Sequence, residues 1–152
     1  MGFYVHRMRY DGGESACEET LRNYEDADYE AYARIYNEAF APLRSALGIE
    51  PVYCCEDRQT LLQKKEHLYV LEENGRLVGS VGIFGGEIDD LVVDAACRGR
   101  GFGTRLLNFA VKCLQSAGVS SITLHVADWN QGALRLYRRS GFEIVNTEWI
   151  ER

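Results

Sequence analysis

The residues with the clearest chemical potential form one short run, Arg98-Gly99-Arg100-Gly101-Phe102-Gly103-Thr104. It follows an apolar stretch that reads as a strand and opens an apolar-periodic stretch that reads as a helix. A helix N-terminus leaves backbone N–H groups unpaired and carries partial positive charge. Glycines lack the Cβ that would hold an anion away from those donors. The run is therefore a candidate pyrophosphate cradle. Two other phosphate-binding patterns do not fit. Gly99, Gly101 and Gly103 do not complete G-x-G-x-x-G, and Gly103-Thr104 lacks the lysine of a Walker loop. Taken alone, the run also fits a tight strand-to-helix turn.

The elements that must position this loop follow from hydrophobic period and turn chemistry. Leu91-Val92-Val93 centres a strand from Glu87 to Asp94. Phe102, Leu106, Ala110, Val111 and Leu114 share one face of a helix from Gly101 to Ala117, which Gly118 is placed to end. Upstream, Asn74-Gly75 separates two apolar runs and is the preferred pair for a tight hairpin, because both central residues need positive φ. Downstream, Ser121 to Ala127 predicts a strand, Asn130 caps a helix through Tyr137 and Arg138, and Phe142 to Ile150 predicts a last strand. In the first third of the chain, Phe3 to Tyr10 and Cys17 to Tyr24 are candidate strands. Tyr29, Tyr32, Ile35, Tyr36, Ala39 and Phe40 recur at helical spacing, with Pro42 and Gly48 loosening that helix. A second helix is expected from Glu56 to Lys65. Strands alternating with helices around a sheet give a mixed α/β class in one domain spanning residues 1–152.

Composition narrows the function classes. The chain has 152 residues and a formal net charge of −6. Neutralising phosphates along a nucleic acid needs a basic surface, so no nucleic-acid partner is expected, and a cationic acceptor such as an amine suits the charge better. The chain has no apolar run of the roughly 20 residues that span a bilayer and no secretory leader, so a cytoplasmic protein without a membrane partner is the expectation. Cys17, Cys54, Cys55, Cys97 and Cys113 form no C-x-x-C pair and have no histidine at zinc-ligand spacing. They read as free thiols, and no metal is expected.

Two blocks together resemble one known family. Arg98, Gly101 and Gly103 fit R-x-x-G-x-G, which is similar to the coenzyme A pyrophosphate loop of the GCN5-related N-acetyltransferase (GNAT) superfamily. Asn130-x-x-Ala133-x-x-x-Tyr137 followed by Gly141-Phe142 resembles a second signature of that superfamily. The likeness runs from about Leu68 to Phe142.

This resemblance implies a GNAT-like mixed central sheet flanked by helices, with two central strands splayed. Residues 68–142 would be the acetyl-CoA-binding core and residues 1–67 the acceptor side. It implies acetyl-CoA as co-substrate, held by backbone groups at Leu91, Val92 and Val93 and by the loop Arg98, Gly99, Arg100, Gly101, Phe102, Gly103 and Thr104. Asn130 and Ala133 would complete that site. Arg100 fits a solvated loop arginine equally well. Tyr137 sits where the family places its general acid, and a phenol stays protonated at neutral pH. An alternative is that its ring packs under the cofactor.

The attacking amine must lose a proton, and Glu87 is the first candidate to take it, with a water relay as the alternative. Strand alternation puts Glu87, Asp89, Leu91 and Val93 on one face and Asp90 on the other, unless a bulge intervenes. His125, on a central strand, reads as a core histidine. The implied activity is acetyl transfer to a primary amine by direct attack in a ternary complex, with a small-molecule amine or a peptide as acceptor. An enzyme acting on a protein N-terminus or lysine, or a non-catalytic acyl-CoA sensor, are the alternatives. Tyr24, Tyr29, Tyr32, Tyr36 and Tyr53 are candidates for an amine site by cation–π contact, although helical spacing makes most of them core. The family commonly ends in two strands after its last helix, and only one fits after Phe142. Either the second is missing, or Phe3 to Tyr10 or a partner chain fills the place. An uncovered edge invites association, so a homodimer is also expected.

Overall fold

The computed structural model describes residues 1–152. The strands, in chain order, are β1 (Gly2–Tyr10), β2 (Arg22–Asn23), β3 (Leu68–Glu73), β4 (Arg76–Phe84), β5 (Glu87–Val93), β6 (Thr123–Ala127) and β7 (Phe142–Glu151). The helices are α1 (Tyr29–Ala46), α2 (Arg58–Gln63), α3 (Phe102–Ser116) and α4 (Gln131–Arg139). All seven strands form one sheet in the order β2-β3-β4-β5-β6-β1-β7. Every neighbouring pair is antiparallel except β5 and β6.

Helices with apolar stripes pack on both sheet faces. α3 turns Phe102, Leu106, Leu107, Phe109, Ala110, Val111 and Leu114 into the larger core, joined by Leu134 and Tyr137 of α4. Full burial of one such Leu or Phe is worth about 1.5–3 kcal/mol, so this stripe fixes the helix that follows the glycine loop. The opposite face carries Tyr32 and Ile35 of α1 and Leu61 of α2 against Leu68, Val70, Leu77 and Val92. Asn74 and Gly75 both have positive φ, 53° and 76°, as the predicted hairpin turn requires.

The N-terminal strand supplies the place that a second C-terminal strand would take. β1 lies between β6 and β7, pairing Arg7 with His125 on one side and with Asn146 on the other. Its Met8 is fully buried in the α3-side core. The first 67 residues therefore also contribute to the central sheet, through β1. His6 locks the insertion: Nε2 contacts Asp128 Oδ1 at 2.7 Å and Nδ1 contacts Thr147 Oγ1 at 2.9 Å.

Other expectations shift at their edges. Of the segment Cys17 to Tyr24, only Arg22 and Asn23 pair as strand. The stretch before them is drawn across α3 instead, with Ser15 N–H donating to Gln115 Oε1 and Arg105 bound to Glu19. α1 runs through Pro42 to Ala46 rather than loosening there, giving up one backbone hydrogen bond inside the helix. α2 is shorter than predicted and starts where Asp57 Oδ1 accepts from Thr60 N–H. The strand predicted from Ser121 begins at Thr123.

Candidate active site

The parallel pair β5 and β6 is registered only at Glu87 and Thr123. Beyond that point the strands diverge, and Asp89 through Val93 face a gap opposite His125, Val126 and Ala127. The gap opens into a cleft of about 770 Å³. At one end lie Arg98, Gly99, Gly101, Phe102, Gly103 and Thr104, and along its wall lie Asn130, Ala133 and Tyr137. On the α1 side it is closed by Ala39, Phe40, Pro42 and Leu43.

The glycine end is built as an anion cradle. Gly99 and Gly101 have φ of 78° and 84°, a region in which L side chains are strained. Gly101 is the N-cap of α3, and the first backbone bond of the helix runs from Arg105 N–H to Gly101 O. The N–H groups of Phe102, Gly103 and Thr104 are left for a ligand. Asp94 anchors the chain just before the loop. It is 1% exposed, binds Arg34 at 3.0 Å and Arg76 at 3.2 Å, and accepts from Ala96 N–H. The Arg34 hydrogen bond, against the cost of burial, holds its carboxyl below the usual carboxylate range.

Most of the residues expected at the site meet in this cleft: Leu91, Val92, Val93, Arg98, Gly99, Gly101, Phe102, Gly103, Thr104, Asn130, Ala133 and Tyr137. Arg100 does not line it and lies over the Phe102 ring, 5.0 Å from its centre. Asn130 caps α4 by accepting from Ala133 N–H at 3.2 Å, leaving the rest of its amide to the cleft. Tyr137 is 8% exposed, and burial pushes its phenol well above the ordinary value. It stays protonated and can donate.

Glu87 lies before the splay and outside the cleft lining, where Oε1 contacts His125 Nδ1 at 2.6 Å. His125 is exposed and lines the cleft, not the core. The carboxylates that do line the cleft are Asp89 and Asp90. Strict alternation fails here because β5 carries a bulge. Between the pairs Gly82–Asp89 and Ser80–Val92, β5 advances one residue more than β4, and Asp90 takes φ 49°. The extra residue sends Val92 to the α1-side core while Leu91 and Val93 pack toward α3. Asp90 points toward α1, where Tyr36 Oη donates to Asp90 Oδ1 at 3.2 Å. Burial, helped by the neighbouring Asp89 charge, pushes the Asp90 carboxyl up to about 6. The signal in the sequence was the Asp89-Asp90 pair inside an apolar strand, a poor fit to an unbroken ladder.

The profile of the Acetyltransferase (GNAT) family matches residues 24–142. The chain belongs to the GNAT family. GNAT membership makes it an acyltransferase. Among curated proteins it is 32% identical over 144 residues to YwnH of Bacillus subtilis, provisionally named a phosphinothricin acetyltransferase, covering 86% of this chain and 85% of that one. It is 29% identical over 142 residues to MJ1207 of Methanocaldococcus jannaschii, an uncharacterized N-acetyltransferase, covering 82% of this chain and 60% of that longer relative. A GNAT acetyltransferase structure from Novosphingobium aromaticivorans superposes with a TM-score of 0.72 at 18% identity, covering 98% of this chain and 63% of that one. The yncA structure from Salmonella typhimurium, solved with acetyl-CoA, gives 0.63 at 23% identity, covering 84% and 80%. These structures establish the GNAT fold, the mixed α/β class expected from the sequence. No helix is long and apolar enough to cross a membrane.

Proposed function

We propose that the chain transfers an acetyl group from acetyl-CoA to a primary amine by direct attack within a ternary complex. The observation that carries this reading is the splay of β5 from β6, with a free helix N-terminus at one end and a carboxylate on a bulge at the other. The bound cofactor would bring the acetyl group already activated as a thioester. The free N–H groups at Phe102, Gly103 and Thr104 suit its pyrophosphate, with Arg98 adding charge. The unpaired edge of β5 at Leu91, Val92 and Val93 suits the pantetheine arm, with Asn130 and Ala133 opposite.

The side chains divide the proton work. An ammonium ion is not a nucleophile, so a base must take its proton first. Asp90 fits this role better than Glu87, because it lines the cleft and is largely ionised at neutral pH. Tyr137, held protonated by burial, would donate to the departing sulfur. A backbone N–H on the unpaired edge of β5 would face the charge that develops on the acetyl oxygen. In this reading residues 68–142 hold acetyl-CoA, and residues 1–67 shape the acceptor side, largely through α1. A small amine-bearing acceptor is in keeping with the substrate in the name of YwnH.

The test is thiol release over a panel of small amines, amino acids, peptide N-termini and lysine, for wild type and Tyr137→Phe. The expected result is amine-dependent release that falls about 10²-fold or more in the variant while acetyl-CoA affinity is kept. Equal rates in both proteins would remove Tyr137 from the mechanism. No release with any amine, despite acetyl-CoA binding, would contradict the transferase reading.

A further inference from the structure

The α1-side face of the sheet is covered by α1 and α2 over β3, β4 and β5, but not over β6 and β1. Met8, Leu124 and Val126 are buried in the α3-side core, so alternation turns Arg7, Arg9, Thr123 and His125 to the other face. Arg7 is paired in register with His125, and Arg9 with Thr123. Neighbouring strands lie about 4.8 Å apart, so Arg7 stands one strand spacing from a residue that lines the cleft.

Both arginines are exposed and neither joins an ion pair, although Arg9 has Glu143 of β7 opposite it in register; Arg22 on the far edge, by contrast, is held by Asp28 and Glu72. The β5 side of the gap is acidic, with Asp89 and Asp90 on it and Glu87 just before the splay. The arginines do not themselves line the cleft, but on the uncovered face beside its acceptor end the strands run from carboxylates on β5 to guanidinium groups on β1, with His125 between them, tied to Glu87. A simple amine would use only the acidic side. A molecule with an amine and an anion a few bonds apart would use both, and a guanidinium fork suits a carboxylate.

We propose that Arg7 and Arg9 form the anion-binding half of the acceptor site, so that the preferred acceptor is a small zwitterion, an amino acid or derivative with a free carboxylate. Its amine lies at Asp90 and its carboxylate at the arginines. This rests on the transferase reading and names its substrate class. The arginines are positioning residues: they orient the acceptor and do not touch the reacting atoms.

The experiment compares kcat and KM for amino acids, their amides and their decarboxylated amines, using wild type, Arg7→Gln, Arg9→Gln and Arg7→Lys. Wild type should favour the free acids over the amides. Each glutamine variant should raise KM for the acids about ten- to a hundredfold, the loss of one charge-assisted hydrogen bond, with kcat little changed. KM for amides and simple amines should stay within about twofold, and Arg7→Lys should recover part of the loss. The exposed sites make misfolding an unsuitable explanation, and an unchanged melting temperature checks that. A wild type that prefers decarboxylated amines, or glutamine variants that weaken all acceptors equally, would overturn the proposal while leaving acetyl transfer intact. Acetyl-CoA binding, measured separately, reports on the parent reading: its absence would sink both.

Discussion

Replacing Asp90 with Asn should make the protein more stable and less active at once. The carboxyl is pushed from 3.8 to about 6 by burial and by Asp89. Two pKa units correspond to at most about 3 kcal/mol against the ionised form in the fold. The sign follows from proton binding. Between these two values the native state holds more protons than the unfolded state, so stability falls as pH rises through that window. The penalty is absent below about pH 4 and complete above about pH 6. Asparagine never carries the charge and keeps an oxygen to accept from Tyr36. In a domain of this size each kcal/mol moves the melting temperature by about 2–4 °C. Asp90→Asn should therefore melt up to about 10 °C above wild type at pH 7.5, with the gap closing by pH 4. In the same samples kcat/KM should fall about 10²- to 10⁴-fold, the usual worth of a general base, and lose a rise with pH centred near 6. The assay is thermal melting from pH 4 to 8 beside thiol-release kinetics. A variant that melts lower than wild type at neutral pH and keeps its rate would refute both the burial argument and the base assignment.

Three further outcomes follow from the same structure. Asp94→Asn weakens the contacts to Arg34 and Arg76 ahead of the glycine loop, and should cost about 1–3 kcal/mol, seen as a lower urea midpoint at pH 7. Because the native carboxyl of Asp94 is held low, its contribution is present at neutral pH and lost as pH falls through the native value, so the two proteins should converge in acid. Glu87→Gln should leave the pH midpoint of kcat/KM near 6, since Glu87 contacts His125 outside the cleft lining; a shift of that midpoint would return the base role to Glu87. Deleting residues 1–10 removes a strand paired on both sides, and should yield an aggregating chain, read by light scattering, rather than a protein with a frayed end.

The parts of the site legible in the sequence were those set by local chemistry. Gly99 and Gly101 occupy positive φ as a helix-opening loop demands, Asn74-Gly75 closes the hairpin, and the apolar stripe from Phe102 to Leu114 is buried. Asn130 caps the helix that carries Tyr137 into the cleft. What was not legible depends on pairing between distant segments. The bulge at Asp90 exists only relative to the register of β4, so a reading of β5 by itself could allow for a bulge but not locate one, and put Glu87 first. The position of β1 between β6 and β7 is a contact across more than a hundred residues, which periodicity does not encode. The placement of Arg7 beside His125 has the same origin, because the two meet only through that pairing. Arg100 shows the limit on a smaller scale: the loop sequence left it open between a phosphate contact and a solvated arginine, and in the fold it lies over Phe102.

The central claim is that the loop ending in the α3 N-terminus holds acetyl-CoA. Calorimetric titration of acetyl-CoA into wild type and Gly101→Val tests it directly. Valine at φ 84° is strained, and no atom lies within 4 Å of its Cβ position, so the change acts on the loop backbone and not on packing. The account predicts one molecule bound per wild-type chain and a loss of about tenfold or more in the variant, with circular dichroism unchanged. Wild-type protein that is folded and gives no heat with acetyl-CoA would contradict it.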